Sequence, residues 1–222
     1  MNKKEILKKT NDFVKVQLGN DSSGHDYWHC FRVLKNAVGI AKEESKTQKA
    51  DMFVIELASL LHDVDDWKFS EDIKEGPKKT ISFLNENNVD EKIINHVVEI
   101  INSLSFKGAK VKSEMKTIEG KIVQDADRLD AIGAVGVARN FAYGGSKGRE
   151  MYDPNIKPSL HDDFEKYKSN NSSTINHFYE KSLLLKDLMN TKTAKKIAEK
   201  RHKFMEDFLK EFFIEWDGKD LV

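Results

Sequence analysis

Three short stretches hold the residues best suited to do chemistry. They are His25, Asp26 and His29; then His62 and Asp63 with Asp65 and Asp66; then Asp125, Asp127 and Asp130. Each is embedded in apolar sequence, as in ELASLLHDVDDW and GKIVQDADRLDAIGAVG. A carboxylate is costly to bury unless it is paired or bound to a metal. Three such clusters are explained most simply if they meet at one place around a cation. His62 and Asp63 are adjacent, and helix neighbours diverge by roughly 100°. Both reach one ion only if it lies off a helix end or the helix geometry relaxes there. His25 and His29 stand at HxxxH spacing, and either can ligate; Asp127 offers a further carboxylate. Two imidazoles and two carboxylates suit Mn, Fe, Co, Ni, Zn or Mg. A six-coordinate ion held this way keeps positions for water and for a substrate oxygen, and so lends itself to hydrolysis at phosphorus.

The elements that must position these groups read as helices throughout. Helix formers dominate, and no clear stretch alternates strictly between apolar and polar residues, so the expected fold class is all-α. The spacing predicts helices over Lys3 to Leu18, about His25 to Glu44, and behind an Asp51 cap through Leu61; Gly76-Pro77 opens another that ends at Asn87-Asn88, and Asp90 caps the next through about Leu104. Two more follow over Met115 to Leu129 and Asp130 to Tyr143. The third helix is apolar nearly all round and belongs at the centre of the core. Gly144 to Ser172 reads as a long loop, and two helices near Thr174 to Met189 and Thr193 to Trp216 close the chain. No linker separates autonomous parts. One domain over residues 1–222 is expected, with its core at about 20–145 and C-terminal helices at about 173–216 packed on it.

Composition narrows the function classes. Lys and Arg total 37 and so do Asp and Glu, which leaves no broad basic surface for extended nucleic acid. The single cysteine, Cys30, excludes an internal disulfide or a Cys-based zinc cluster, and it reads as an inert core residue. The start MNKKEILKK lacks the apolar core of a signal peptide, and no apolar run reaches bilayer length. A cytoplasmic protein with no membrane partner is the expectation.

Taken together, HDYWHCFRV, LLHDVDD and QDADRLDAIGA resemble the HD-domain superfamily of metal-dependent phosphohydrolases, which is marked by a His, a His-Asp pair and a distant Asp in that order. The resemblance runs on through YGGSKGREMYDP and the C-terminal tail, and it is to a bacterial subgroup similar to YpgQ and YedJ. It implies a compact helical bundle and selects His29 over His25, so that the metal ligands become His29, His62, Asp63 and Asp127. It implies hydrolysis of a nucleotide or other small phosphate ester, with nucleoside triphosphate pyrophosphohydrolysis as one form. Members with two metals carry adjacent histidines between the His-Asp pair and the last Asp. Here only His96 lies in that interval, which favours one divalent ion. A different class, a non-catalytic nucleotide-binding or sensor module that keeps the metal, remains open. An oxygenase would need two irons.

Further residues acquire roles around that ion. Asp63 serves catalysis as a ligand, and Asp66, three residues beyond the His-Asp pair, can orient or deprotonate the attacking water. Arg32, one turn from His29, can bind phosphate oxygens as a fork; its plain alternative is an ion pair with an aspartate. His25 and Lys107 are candidate substrate contacts. So are Lys147 and Arg149 in GGSKGR, a run that lacks the P-loop spacing but can close over a polyanion. Asp125 and Asp130 are expected to pair with Arg128 or cap helices. The aromatic tail (Phe204, Phe208, Phe212, Phe213, Trp216) reads as helix packing or as the face of a homodimer.

Overall fold

The computed structural model describes residues 2–19, 21–65, 77–104, 114–160 and 172–221. Among these residues there is no strand, and nine α-helices account for most of the chain. They are α1 (Lys3–Leu18), α2 (Tyr27–Glu44), α3 (Met52–Leu61), α4 (Lys78–Glu86), α5 (Glu91–Leu104), α6 (Ile118–Asp130), α7 (Gly133–Ser146), α8 (Thr174–Glu180) and α9 (Lys192–Trp216). Short 3-10 turns occupy Ser182–Leu188 and Lys219–Leu221. No helix among the described residues is long and apolar enough to cross a membrane.

The apolar third helix does lie at the centre. Eight of its ten residues are buried, and α1, α2, α5 and α6 pack around it. His62 and Asp63 stand at its C-terminal end, where the chain leaves this apolar centre. The strongest packing is of α2 against α6 and α3. Val33, Ala37, Ile40 and Ala41 of α2 and Ile122, Val123, Ala126 and Leu129 of α6 are all essentially inaccessible. That packing brings the first turn of α2 beside the last turn of α6.

Several element boundaries differ from the sequence expectation, with α6 and α7 each starting three residues later, and three of the differences have a clear local reason. Helix α2 starts at Tyr27 because the Asp26 carboxylate accepts from the His29 amide at 2.9 Å and so acts as N-cap. His25 therefore precedes the helix and does not share a helical face with His29. Helix α7 runs through Gly144 and Gly145 to Ser146, so the loop begins later than expected. Gly144 is buried against α8, where a Cβ would stand 2.1 Å from Thr174 Oγ1, and only glycine permits that approach. The helix expected over Thr174 to Met189 breaks at Lys181, where a hydrogen bond from Asn140 to Ser182 Oγ pins the chain. It continues as a tighter 3-10 turn that buries Leu185.

Candidate metal centre

The three stretches converge. His29 sits in the first turn of α2, His62 caps the C-terminus of α3, Asp63 follows in the turn, and Asp127 and Asp130 lie in the last turn of α6. Past Leu61 the backbone leaves the α-helix, with the Val64 amide bonded to the Leu61 carbonyl at 3.1 Å. This relaxed turn lets the neighbours His62 and Asp63 face one point. His29 Nε2 lies 3.1 Å from His62 Nε2, 3.4 Å from Asp63 Oδ2 and 3.4 Å from Asp127 Oδ1. His62 Nε2 lies 3.5 Å from Asp63 Oδ1 and 3.9 Å from Asp127 Oδ1.

The protons decide what this cluster can hold. His29 Nδ1 donates to Asp130 Oδ2 at 2.8 Å, and His62 Nδ1 donates to the Ser59 carbonyl at 2.9 Å. In the neutral rings both Nε2 atoms then carry lone pairs, and those lone pairs face each other among two carboxylates. Such an arrangement requires a proton or a cation. Ligands about 2.1 Å from one ion and at right angles stand about 3 Å apart, close to the spacing observed. Two carboxylates balance a divalent charge, and the carbonyl ends of α3 and α6 both point toward it, which favours a cation. The residues therefore fit a divalent metal ion.

The electrostatics agree. Burial pushes the Asp63 carboxyl up, but His62, His25 and His29 outweigh it and hold the group well below the usual carboxylate range. Asp127 is lowered likewise: burial opposes, His29 and His62 prevail, and Asp63 offsets part of the effect. For His29, burial and Arg139 press downward, and Asp127, Asp130 and Asp63 together raise the ring above its ordinary value.

Around the ligands lies a supporting layer. The Asp21 carboxylate accepts from Ser23 N, Ser23 Oγ and His25 N, folding residues 21–26 into a tight turn. Gly24, at φ +85°, aims its carbonyl at Arg139 Nε, 2.8 Å away. His25 Nδ1 thereby reaches 3.0 Å from Asp63 Oδ2, and an approach that short to a carboxylate places the proton on that nitrogen. The His25 ring meets Tyr143 edge-on at 5.9 Å, while Lys147 Nζ and Arg149 Cζ lie 5.8 Å and 5.6 Å from the Tyr143 ring centre. Lys147 and Arg149 thus approach the centre by way of Tyr143 and His25, set back from the candidate donors.

Several assignments change. Arg32 Nε and Nη2 are engaged by Asp130, at 2.8 and 3.0 Å, so at most part of its guanidinium can bind a phosphate. Asp130 does not pair with Arg128; it takes His29, Arg32 and Arg139. Residues two apart on a helix do not face each other, which separates Asp130 from Arg128. Asp125 accepts from Asn190 and Thr191, and Arg128 donates to the Leu188 carbonyl. Asp66 and Lys107 lie outside the described residues. Cys30 is fully buried, which pushes its thiol up, although its sulfur comes near the His62 and Asp63 donors. Sequence reasoning missed Arg139, Tyr143 and the role of Asp130. Arg139 carries no local signal, since its approach depends on how α7 turns back after Gly133.

A helical bundle that gathers two histidines and two aspartates at the meeting ends of three helices defines a class of metal-dependent hydrolases. The HD domain model matches residues 27–132 of the chain. YpgQ of Bacillus subtilis is 38% identical over 209 residues, which cover 94% of this chain and 92% of YpgQ. The crystal structure of an HD-superfamily hydrolase from Bacillus thuringiensis is 46% identical, with TM-score 0.71 and coverage of 97% of this chain and 99% of that one. Crystalline YpgQ in complex with ADP aligns at TM-score 0.71 and 35% identity, over 93% of this chain and 95% of that one. The chain belongs to the HD domain family.

Proposed function

We propose that the protein is a phosphohydrolase dependent on one divalent metal, held by His29, His62, Asp63 and Asp127. The substrate is a nucleotide or another small phosphate ester, with a nucleoside triphosphate cleaved to monophosphate and pyrophosphate as the leading form. The observation that carries the reading is the pair of Nε2 lone pairs 3.1 Å apart, each fixed by its own Nδ1 partner. When bound, the metal would supply an activated water and a polarised phosphoryl oxygen.

The protein's own groups do the rest. Asp63 and Asp127 stay ionised across the physiological range, so they compete poorly for protons and remain available as ligands. His25 holds Asp63 by the 3.0 Å hydrogen bond and presents its ring toward Tyr143, on the side where a substrate would approach. Arg32 and Arg139 supply positive charge against the phosphoryl oxygens as charge develops on them. Lys147 and Arg149, set back behind Tyr143, suit the distal part of a longer phosphate chain. Asp66 remains the proposed base for the attacking water on its sequence position. A nucleotide is favoured because YpgQ, the relative described above, binds ADP.

The test is a phosphate- and pyrophosphate-release screen over nucleoside mono-, di- and triphosphates with Mn²⁺-loaded protein. Metal-stimulated turnover that disappears in Asp63→Ala is expected. Unimpaired turnover in that variant would remove the mechanism. Nucleotide binding without turnover in the wild type would establish the sensor module in its place.

A further inference from the structure

Asp130 is 2% exposed and accepts four hydrogen bonds: from His29 Nδ1 at 2.8 Å, Arg32 Nε at 2.8 Å, Arg32 Nη2 at 3.0 Å and Arg139 Nη1 at 3.2 Å. Its donors come from α2 and α7, while the carboxylate itself ends α6. One donor is a metal ligand of the reading above, and the other two are cations beside it. We propose that Asp130 is the positioning residue of the centre. One buried carboxylate turns His29 Nε2 toward the metal and also holds Arg32 and Arg139 where a phosphate oxyanion binds, so that metal loading and phosphate binding depend on the same group. This rests on the metal-dependent reading.

With a neutral amide in place of the Asp130 carboxylate, one acceptor oxygen faces four donors, and His29 loses the anionic partner that keeps its proton on Nδ1. The tautomer protonated at Nε2 cannot ligate. An aspartate bonded to the distal nitrogen of a ligating histidine fixes both ring orientation and basicity, and its loss typically weakens metal binding 10- to 100-fold. Arg32 engages Asp130 side-on through Nε and Nη2, which turns Nη1 away from that carboxylate. A third of the Arg32 side chain is exposed, so an anion can reach it. Asp26, the cap of α2, also lies near Arg32. Removing Asp130 therefore costs Arg32 its fixed orientation more than its charge balance. Arg139 spans the other side, with Nη1 on Asp130 and Nε on the Gly24 carbonyl. The guanidinium thus ties the turn carrying His25 to the same carboxylate.

The experiment measures Mn²⁺ affinity by calorimetry, then inorganic phosphate affinity at saturating Mn²⁺, in wild type, Asp130→Asn, Arg32→Gln and His62→Ala. Asp130→Asn should weaken Mn²⁺ by about tenfold or more and phosphate by about tenfold or more. Arg32→Gln should leave Mn²⁺ within about threefold and weaken phosphate by about tenfold. Since Asp130→Asn can fail to fold, nitrogen-15 NMR of wild-type histidines, at a pH where His29 is neutral, provides a second measurement. It should find the His29 proton on Nδ1; a proton on Nε2 overturns the proposal. So does an Asp130→Asn protein that binds both ligands like wild type while His62→Ala loses Mn²⁺, and in that case the metal reading survives. Unchanged phosphate affinity in Arg32→Gln overturns the coupling. Wild type that binds no Mn²⁺ removes both.

Discussion

His29 has both ring nitrogens committed: Nδ1 to Asp130, and Nε2 to a point shared with His62, Asp63 and Asp127. The same carboxylates that attract a cation also attract a proton, which is why the His29 ring titrates above its ordinary value of 6.5 against the opposing effect of burial. A metal must displace that proton. Mn²⁺ affinity should therefore fall as pH is lowered, and the fall should already be under way above pH 6.5. Calorimetric titrations between pH 8 and 6 check this; a flat profile would contradict it. The three clusters that hold the four proposed ligands were legible because their residue types stand out against apolar sequence, and the family resemblance picked His29 over His25. Asp130 was not. Its local text, DRLD, points to Arg128, whereas its real partners lie 101, 98 and 9 residues away on other helices.

Helix ends do most of the positioning. Thr191 caps α9, its Oγ1 accepting from the Ala194 amide at 3.2 Å while donating to Asp125 at 2.8 Å, and this fastens the start of α9 to α6. Thr191→Ala removes both bonds and should cost about 1–2 kcal/mol in urea unfolding. Helix α8 carries a different sensitivity. Burial, with Lys181 and Arg149 adding to it, lowers the His177 ring from 6.5 to about 3. Between those values the unfolded chain binds a proton that the folded chain does not. Stability present above pH 6.5 is lost as pH falls toward 3, by at most about 1.4 kcal/mol per pH unit. His177→Asn should flatten that part of the stability–pH curve relative to wild type, as read by denaturant melts at pH 7, 6 and 5. Helix existence was plain from apolar spacing, whereas several boundaries moved. Three of them were fixed by an Asp26 cap, a glycine packed on Thr174 and a hydrogen bond from Asn140, contacts that hydrophobic period does not report.

Because the proposed ligands come from α2, α3 and α6, metal binding would cross-link the whole core. An ion that binds the folded chain alone stabilises it by about 2.7 kcal/mol at a hundredfold excess over Kd. In a chain of this length that is roughly 5–10 °C in Tm. Saturating Mn²⁺ should raise the melting temperature by that amount, EDTA should reverse it, and His62→Ala should abolish it in differential scanning calorimetry. Helix α9 packs on α2, α6 and α7, and we expect residues 1–222 to melt in one transition. Residue types and their periods alone pointed to an all-helical chain, an apolar central helix and three polar clusters suited to gripping a cation, and the family resemblance chose His29 over His25 among them. Those properties follow from local chemistry and from the cost of burying charge. Which carboxylate orients which histidine, where the arginines go and what Tyr143 touches came only with the packed helices. Such pairings depend on how elements distant in sequence approach one another, and no local stretch of chain encodes that approach.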